Sequence, residues 1–181
     1  SGAVFSNLLL ADEINRTSPK TQAALLEAME EHNVTVDGVT YDLPHPFITI
    51  ATQNPMGSAG TQPLPESQLD RFMICLSIGY PNLEKQIEII KSRRYDNPIE
   101  RIEEVASKEN VIEVQNYLSS VRISDDVLKY IVLLCEKTRE MPLVELGVSP
   151  RGVLALVQMA KAHAVLEDRI YVIPEDVQYV F

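Results

Sequence analysis

The sequence predicts two units in tandem: an α/β unit built on a parallel sheet over residues 1–81, then an all-helical unit over residues 82–181. Three observations carry that prediction. Asn7-Leu8-Leu9-Leu10-Ala11 and Phe47-Ile48-Thr49-Ile50-Ala51 are short runs apolar on both faces. Strands of a covered parallel sheet lose side-chain alternation in this way. Each run ends in polar groups, Asp12-Glu13 after the first and Thr52-Gln53-Asn54 after the second. Beyond Pro81 the strand signals vanish and amphipathic helices follow one another.

Each element has its own local cause. Ser18 as cap and Pro19 at the first helical position start a helix that runs to about Glu31. Val34-Thr35-Val36 and Val39-Thr40-Tyr41 flank Asp37-Gly38, a strong hairpin signal, and define a hairpin over 33–42. Met56 to Thr61 is small and flexible, a loop. Leu64 to Phe72 forms a short helix leading to a third expected strand, Met73 to Ile78. Helices are then predicted from Leu83 to Arg94, from Lys108 to Leu118 and, capped by Ser124, from Val127 to Thr138. Ser149-Pro150 and Ile173-Pro174 open the last two.

Composition narrows the function. Hydrophobic residues make up 45% and charged residues 23%, as in ordinary soluble globular proteins. A net charge of -10 counts against a broad nucleic-acid-binding surface, which needs clustered Lys and Arg. Cys75 and Cys135 lie in apolar runs and read as buried thiols of a reducing compartment. With no signal peptide and no apolar run of 18 residues, a cytoplasmic protein without a membrane partner is expected. The chain lacks an initiator Met and stops inside an expected helix, so it is read as a piece of something longer.

Five residues stand where chemistry would be done. Ligands of parallel sheets bind outside the carboxyl ends of the strands, where Asp12, Glu13 and Asn54 lie. Two adjacent acids call for a cation, with magnesium on a nucleotide phosphate the obvious candidate. Asn54 can orient a water or a terminal phosphate without adding charge. Arg71 presents planar donors suited to phosphate oxygens. Arg151 lies in the first turn of a helix, where a cation opposes the dipole unless an anion joins both. Plain alternatives exist for each: a solvated acidic turn, a turn-forming Asn-Pro, a salt bridge from Arg71 to Asp70 or Glu66, and a surface charge at Arg151.

Together these pieces resemble the AAA+ ATPases, and most closely the MoxR family. The carriers are Leu8-Leu9-Leu10-Ala11-Asp12-Glu13-Ile14-Asn15-Arg16, Ala51-Thr52-Gln53-Asn54-Pro55, Leu64-Pro65-Glu66-Ser67-Gln68-Leu69-Asp70-Arg71-Phe72 and Ser149-Pro150-Arg151-Gly152. The resemblance implies an incomplete three-layer P-loop NTPase core followed by a helical lid. ATP and Mg2+ would be the cofactors. Asp12 and Glu13 resemble the Walker B acids, Asp12 for the metal and Glu13 as general base. Asn54 resembles sensor 1, Arg71 an arginine finger completing a neighbouring subunit's site, and Arg151 the sensor 2 residue that brings the lid onto the nucleotide. The hairpin resembles the insertion before sensor 1. The family further implies a homo-oligomeric ring, commonly a hexamer, that remodels or activates protein complexes with a partner carrying a von Willebrand factor A domain.

One departure is severe. No G-x-x-x-x-G-K-[ST] occurs in the sequence. The phosphate-cradling loop is expected before residue 1. The strand preceding it should lie between those at 47–51 and 73–78, so its absence would leave a gap with exposed edges. The chain alone is therefore expected neither to bind ATP tightly nor to hydrolyse it. Gln62, where relatives often place an aromatic, is a minor departure. A chelatase-like or helicase-like motor and a nucleotide-independent interaction module are the competing readings.

Overall fold

A computed structural model describes residues 2–54, 64–92 and 98–181. The expected loop at Met56–Thr61, Pro55, Gln62 and the helix end at Arg94 lie outside the described residues.

In the first unit, β1 (Leu8–Ala11) and β4 (Ile48–Ala51) pair in parallel, Leu8 opposite Ile48 and Ala11 opposite Ala51. Between them in sequence come α1 (Pro19–Glu31), β2 (Asn33–Val36) and β3 (Val39–Asp42). The Ser18 hydroxyl accepts from Thr21 N–H at 3.2 Å and caps α1, as expected. Leu26 and Ala28 on the inner face of α1 are buried, and Gln22 beside them donates to the Ile14 carbonyl at 3.1 Å. Antiparallel β2 and β3 turn on Asp37 and Gly38, whose positive φ of 51° and 78° define a type I′ turn.

Two expectations fail here, for one reason. Register puts Leu8, Leu10, Ile48 and Ile50 on one face of the two-stranded sheet, and all four are exposed. That sheet is covered on one face rather than two. The third strand does not form: Met73 to Ile78 is irregular, with Leu76 83% and Ile78 96% exposed. A strand is held by hydrogen bonds to a neighbour, and among the described residues β4 pairs only with β1. An apolar, β-branched run without a partner has nothing to close its ladder. Cys75 is accordingly exposed, not buried, whereas Cys135 is buried as expected.

α2 (Glu66–Leu69) follows, then the helical unit: α3 (Leu83–Ser92), a 3-10 turn at Pro98–Arg101, α4 (Lys108–Ser120), α5 (Asp125–Glu140), α6 (Pro150–Leu166) and α7 (Pro174–Val180). Its core is one cluster of Val121, Val127, Ile131, Cys135, Leu156, Ala160, Ala164, Val172 and Val177. Ala160 and Ala164, one turn apart on α6, are fully buried and let α5 and α7 approach closely. Burying a side chain such as Ile131 contributes about 1.5–3 kcal/mol. α3 has no buried residue and stands outside this cluster.

Asp176 is the one fully buried acid among the described residues. Arg169 forks onto both its oxygens, the Ile173 N–H donates to Oδ2 at 2.8 Å, and His163 Nδ1 lies 2.7 Å from Oδ1. These bonds start α7 and fasten it to α6.

Candidate functional site

β1 and β4 run in the same direction and end level, so the residues after them are neighbours. Thr52 ties the two ends together. Its N–H donates to the Ala11 carbonyl and its carbonyl accepts from Ile14 N–H, both at 3.0 Å. Its hydroxyl donates to Asp12 Oδ1 at 2.5 Å and accepts from Glu13 N–H at 2.8 Å. Glu13 itself is left-handed, with φ 49° and ψ 48°. That conformation costs a non-glycine residue about 1–2 kcal/mol, which the four Thr52 bonds offset. The turn aims the two carboxylates differently: Asp12 against Thr52, Glu13 out to an exposed ion pair with Arg16 at 2.8 Å.

Asn54 joins this group through its backbone. Buried Asn15 donates Nδ2 to the Asn54 carbonyl at 3.2 Å, while Asn15 Oδ1 has no hydrogen-bond partner among the described residues. Asp12, Glu13 and Asn54 therefore gather at one sheet end, as expected. Thr52 and Asn15, which hold them there, carry no sequence signal beyond their places in the two motifs.

The two arginines assemble elsewhere. α1 carries Glu30 roughly 16 Å along its axis from Pro19, at 1.5 Å per residue. There Arg71, just beyond α2, donates Nη1 to Glu30 Oε2 at 2.6 Å, and Arg151, in the first turn of α6, donates Nη2 to Glu30 Oε1. The salt bridge that is the plain alternative for Arg71 does form, but with Glu30 and not with Asp70 or Glu66. Neither arginine is bonded to Asp12 or Glu13. The resemblance assigns Arg71 and Arg151 to different sites, yet one carboxylate holds both.

The start of α6 is held from two sides. Ser149 Oγ accepts from Gly152 N–H at 2.9 Å as the helix cap and donates to Asp70 Oδ1 at 2.6 Å, bridging to the first unit. Val148 N–H donates to Thr138 Oγ1 at 2.9 Å, and Arg139 Nε donates to the Val148 carbonyl at 2.8 Å. Gly147 allows this approach, since a Cβ there would lie 2.7 Å from Arg139 Cα. Arg71, Phe72, Arg151, Gly152 and Phe181 line an open cleft of about 430 Å³.

Comparison with known proteins identifies the family. The family described as "ATPase family associated with various cellular activities (AAA)" matches residues 1–74, and "AAA lid domain" matches residues 136–181. The "Chaperone MoxR1" of Mycobacterium tuberculosis is 37% identical across 97% of this chain and 48% of its own length. The chain belongs to the MoxR family of AAA+ ATPases. The "Uncharacterized protein YeaC" of Bacillus subtilis is 52% identical, across 99% of this chain and 56% of its own. A crystal structure of a "putative ATPase" from Cytophaga hutchinsonii superposes with a TM-score of 0.88 at 40% identity, over 98% of this chain and 56% of that one. The chain thus spans about half the length of the curated relatives it matches.

In MoxR terms the chain holds an AAA+ sheet end with its acids, the hairpin and a helical lid. Among the described residues no helix is long and apolar enough to cross a membrane. No three His, Cys, Asp or Glu side chains converge on a metal site among them either. One exposed carboxylate at Asp12 nevertheless fits Mg2+, which keeps several waters and takes only one or two carboxylates beside substrate phosphates.

Proposed function

We propose that the protein to which these residues belong hydrolyses ATP and uses the cycle to remodel or activate protein complexes. The observation that carries this reading is the Thr52 hydroxyl placed between the Asp12 carboxylate and the Glu13 N–H. A solvated acidic turn has no use for a left-handed Glu whose N–H, and whose three neighbours Ala11, Asp12 and Ile14, are each bonded to Thr52 at the end of the paired strand. Catalysis does, because it needs the two acids in fixed and different roles.

Asp12, steadied by Thr52, would hold Mg2+, which supplies charge neutralisation on the phosphates when bound. Glu13, freed from its weak surface pair with Arg16, accepts a proton from the attacking water. Asn54 orients that water or the terminal phosphate. Arg71 and Arg151 stabilise charge on a phosphoryl group together, since they lie side by side. They are not at Asp12 and Glu13 of their own chain, which supports the group they serve belonging to a neighbouring subunit. A homo-oligomeric ring, hexameric by family habit, would supply that neighbour.

The 181 residues contain no phosphate-cradling loop, so the chain by itself neither binds ATP tightly nor turns it over. A cytoplasmic location and a partner with a von Willebrand factor A domain rest on the family resemblance. The net charge of -10 speaks against nucleic acid as the client.

Phosphate release from ATP by the intact protein tests the reading. Turnover that is lost with Arg71→Ala, while ATP still binds, supports it. Client binding independent of nucleotide, with no phosphate released, would replace it by an interaction module.

A further inference from the structure

Glu30 is the acid that none of the site assignments uses. Each of its oxygens takes one arginine: Oε2 from Arg71 and Oε1 from Arg151. The three side chains are between 30% and 46% exposed, so the cluster is partly shielded, and the two arginines line the cleft. Arg151 adds the positive end of α6 to this charge, because it occupies the first turn of a 17-residue helix. Two guanidiniums side by side repel, and an anion between them is needed to hold them. Glu30 supplies that anion from within the chain.

The carboxylate fills the place without using it fully. Each arginine spends a single Nη on Glu30, and among the described residues neither forms an ion pair with another acid. A guanidinium prefers a bidentate fork, and a phosphoryl group offers three oxygens with more charge than one carboxylate. We propose that Glu30 is a built-in competitor for phosphoryl groups at Arg71 and Arg151, occupying both arginines at rest and yielding them when a phosphoryl group enters the cleft. The inference rests on the reading of the two arginines as phosphoryl ligands and adds the residue that regulates their availability. Release of Glu30 also frees Arg151 from α1, leaving Ser149 to Asp70 as the remaining side-chain hydrogen bond, among the described residues, between the start of α6 and the first unit. Phosphoryl binding and loosening of the lid are thereby one event.

The test is calorimetric titration of inorganic pyrophosphate into the 181-residue chain at low salt. Glu30→Gln is compared with Glu31→Gln, which removes the same charge one residue away on an exposed side chain. Glu30→Gln is expected to bind pyrophosphate at least tenfold tighter than the parent chain, with Glu31→Gln within twofold of it. Adding Arg71→Ala to Glu30→Gln should abolish the gain. A Glu30→Gln chain that binds no tighter than Glu31→Gln, while parent binding still needs Arg71 and Arg151, overturns the competitor and leaves the arginine reading standing. Binding absent from every chain, or unaffected by Arg71→Ala and Arg151→Ala, overturns both. Should Glu30→Gln fail to fold by circular dichroism, Glu30→Asp, too short to span both arginines, is the variant read against the same expectations.

Discussion

Thr52 and Asp12 meet across the ends of β4 and β1, hydroxyl to carboxylate at 2.5 Å. The same hydroxyl accepts from the Glu13 N–H, so one side chain orders both acids of the site. Thr52→Val keeps the shape and removes both bonds. Stability should fall by about 1–3 kcal/mol in urea unfolding, and turnover of the intact protein should fall with it. Thr52→Ser should restore most of each, and an equal loss in both variants would argue against the hydroxyl.

The approach of the α6 entry to α5 rests on Gly147. A Cβ there would meet Arg139 backbone atoms at 2.7 and 2.8 Å, which cannot swing aside as a side-chain tip could. Gly147→Ala should destabilise the lid by about 1–3 kcal/mol, as overpacking does, measured by the denaturation midpoint. Gly38→Ala in the hairpin meets open space and should show only the smaller penalty of its positive φ.

Ser149 serves as helix cap and as bridge to Asp70. Ser149→Ala should lose about 1 kcal/mol from the cap. Asp70→Ala leaves the cap intact and should instead raise amide exchange at Val148 to Gly152, without a matching fall in lid stability. Unchanged exchange there would show that the bridge does not hold the lid start.

Acid stability of the lid should follow Asp176. The Arg169 guanidinium, helped by the Ile173 N–H and His163, holds its carboxyl well below the usual carboxylate range, against the opposing effect of burial. A folded pKa below the unfolded value near 3.9 means the native state gives up its proton more readily. The stabilisation is therefore complete above the unfolded value, and it drains away as pH falls from about 4 towards the lower folded pKa. Thermal unfolding between pH 7 and pH 2 should show this decline, and Asp176→Asn should be less stable at pH 7 with a flatter acid limb. Removing one partner of a buried pair typically costs about 3–5 kcal/mol.

Local chemistry made much of the fold legible. Ser18-Pro19, Asp37-Gly38 and Ser149-Pro150 each start or turn an element by a short-range mechanism, and the structure has those elements there. Met73 to Ile78 reads as a strand because strand propensity is scored without asking for a partner, and the described residues offer none. Leu8 and Leu10 misled in the same way, their apolar character reporting a covered face that lies exposed. The acids and arginines were legible as types in a known order. Their grouping was not, since Glu30 stands 41 residues from Arg71 and 121 from Arg151 and looks like any acid near a helix end.

The most direct measurement is ATP binding and turnover by the intact protein carrying Glu13→Gln. Thr52 still orders the turn in that variant, because its bond is to the Glu13 backbone and not to its carboxylate. ATP should bind with unchanged affinity while phosphate release falls by two orders of magnitude or more, as about expected for loss of a general base. Turnover persisting at the parent rate would contradict the assignment of Glu13 and the division of labour between the two acids.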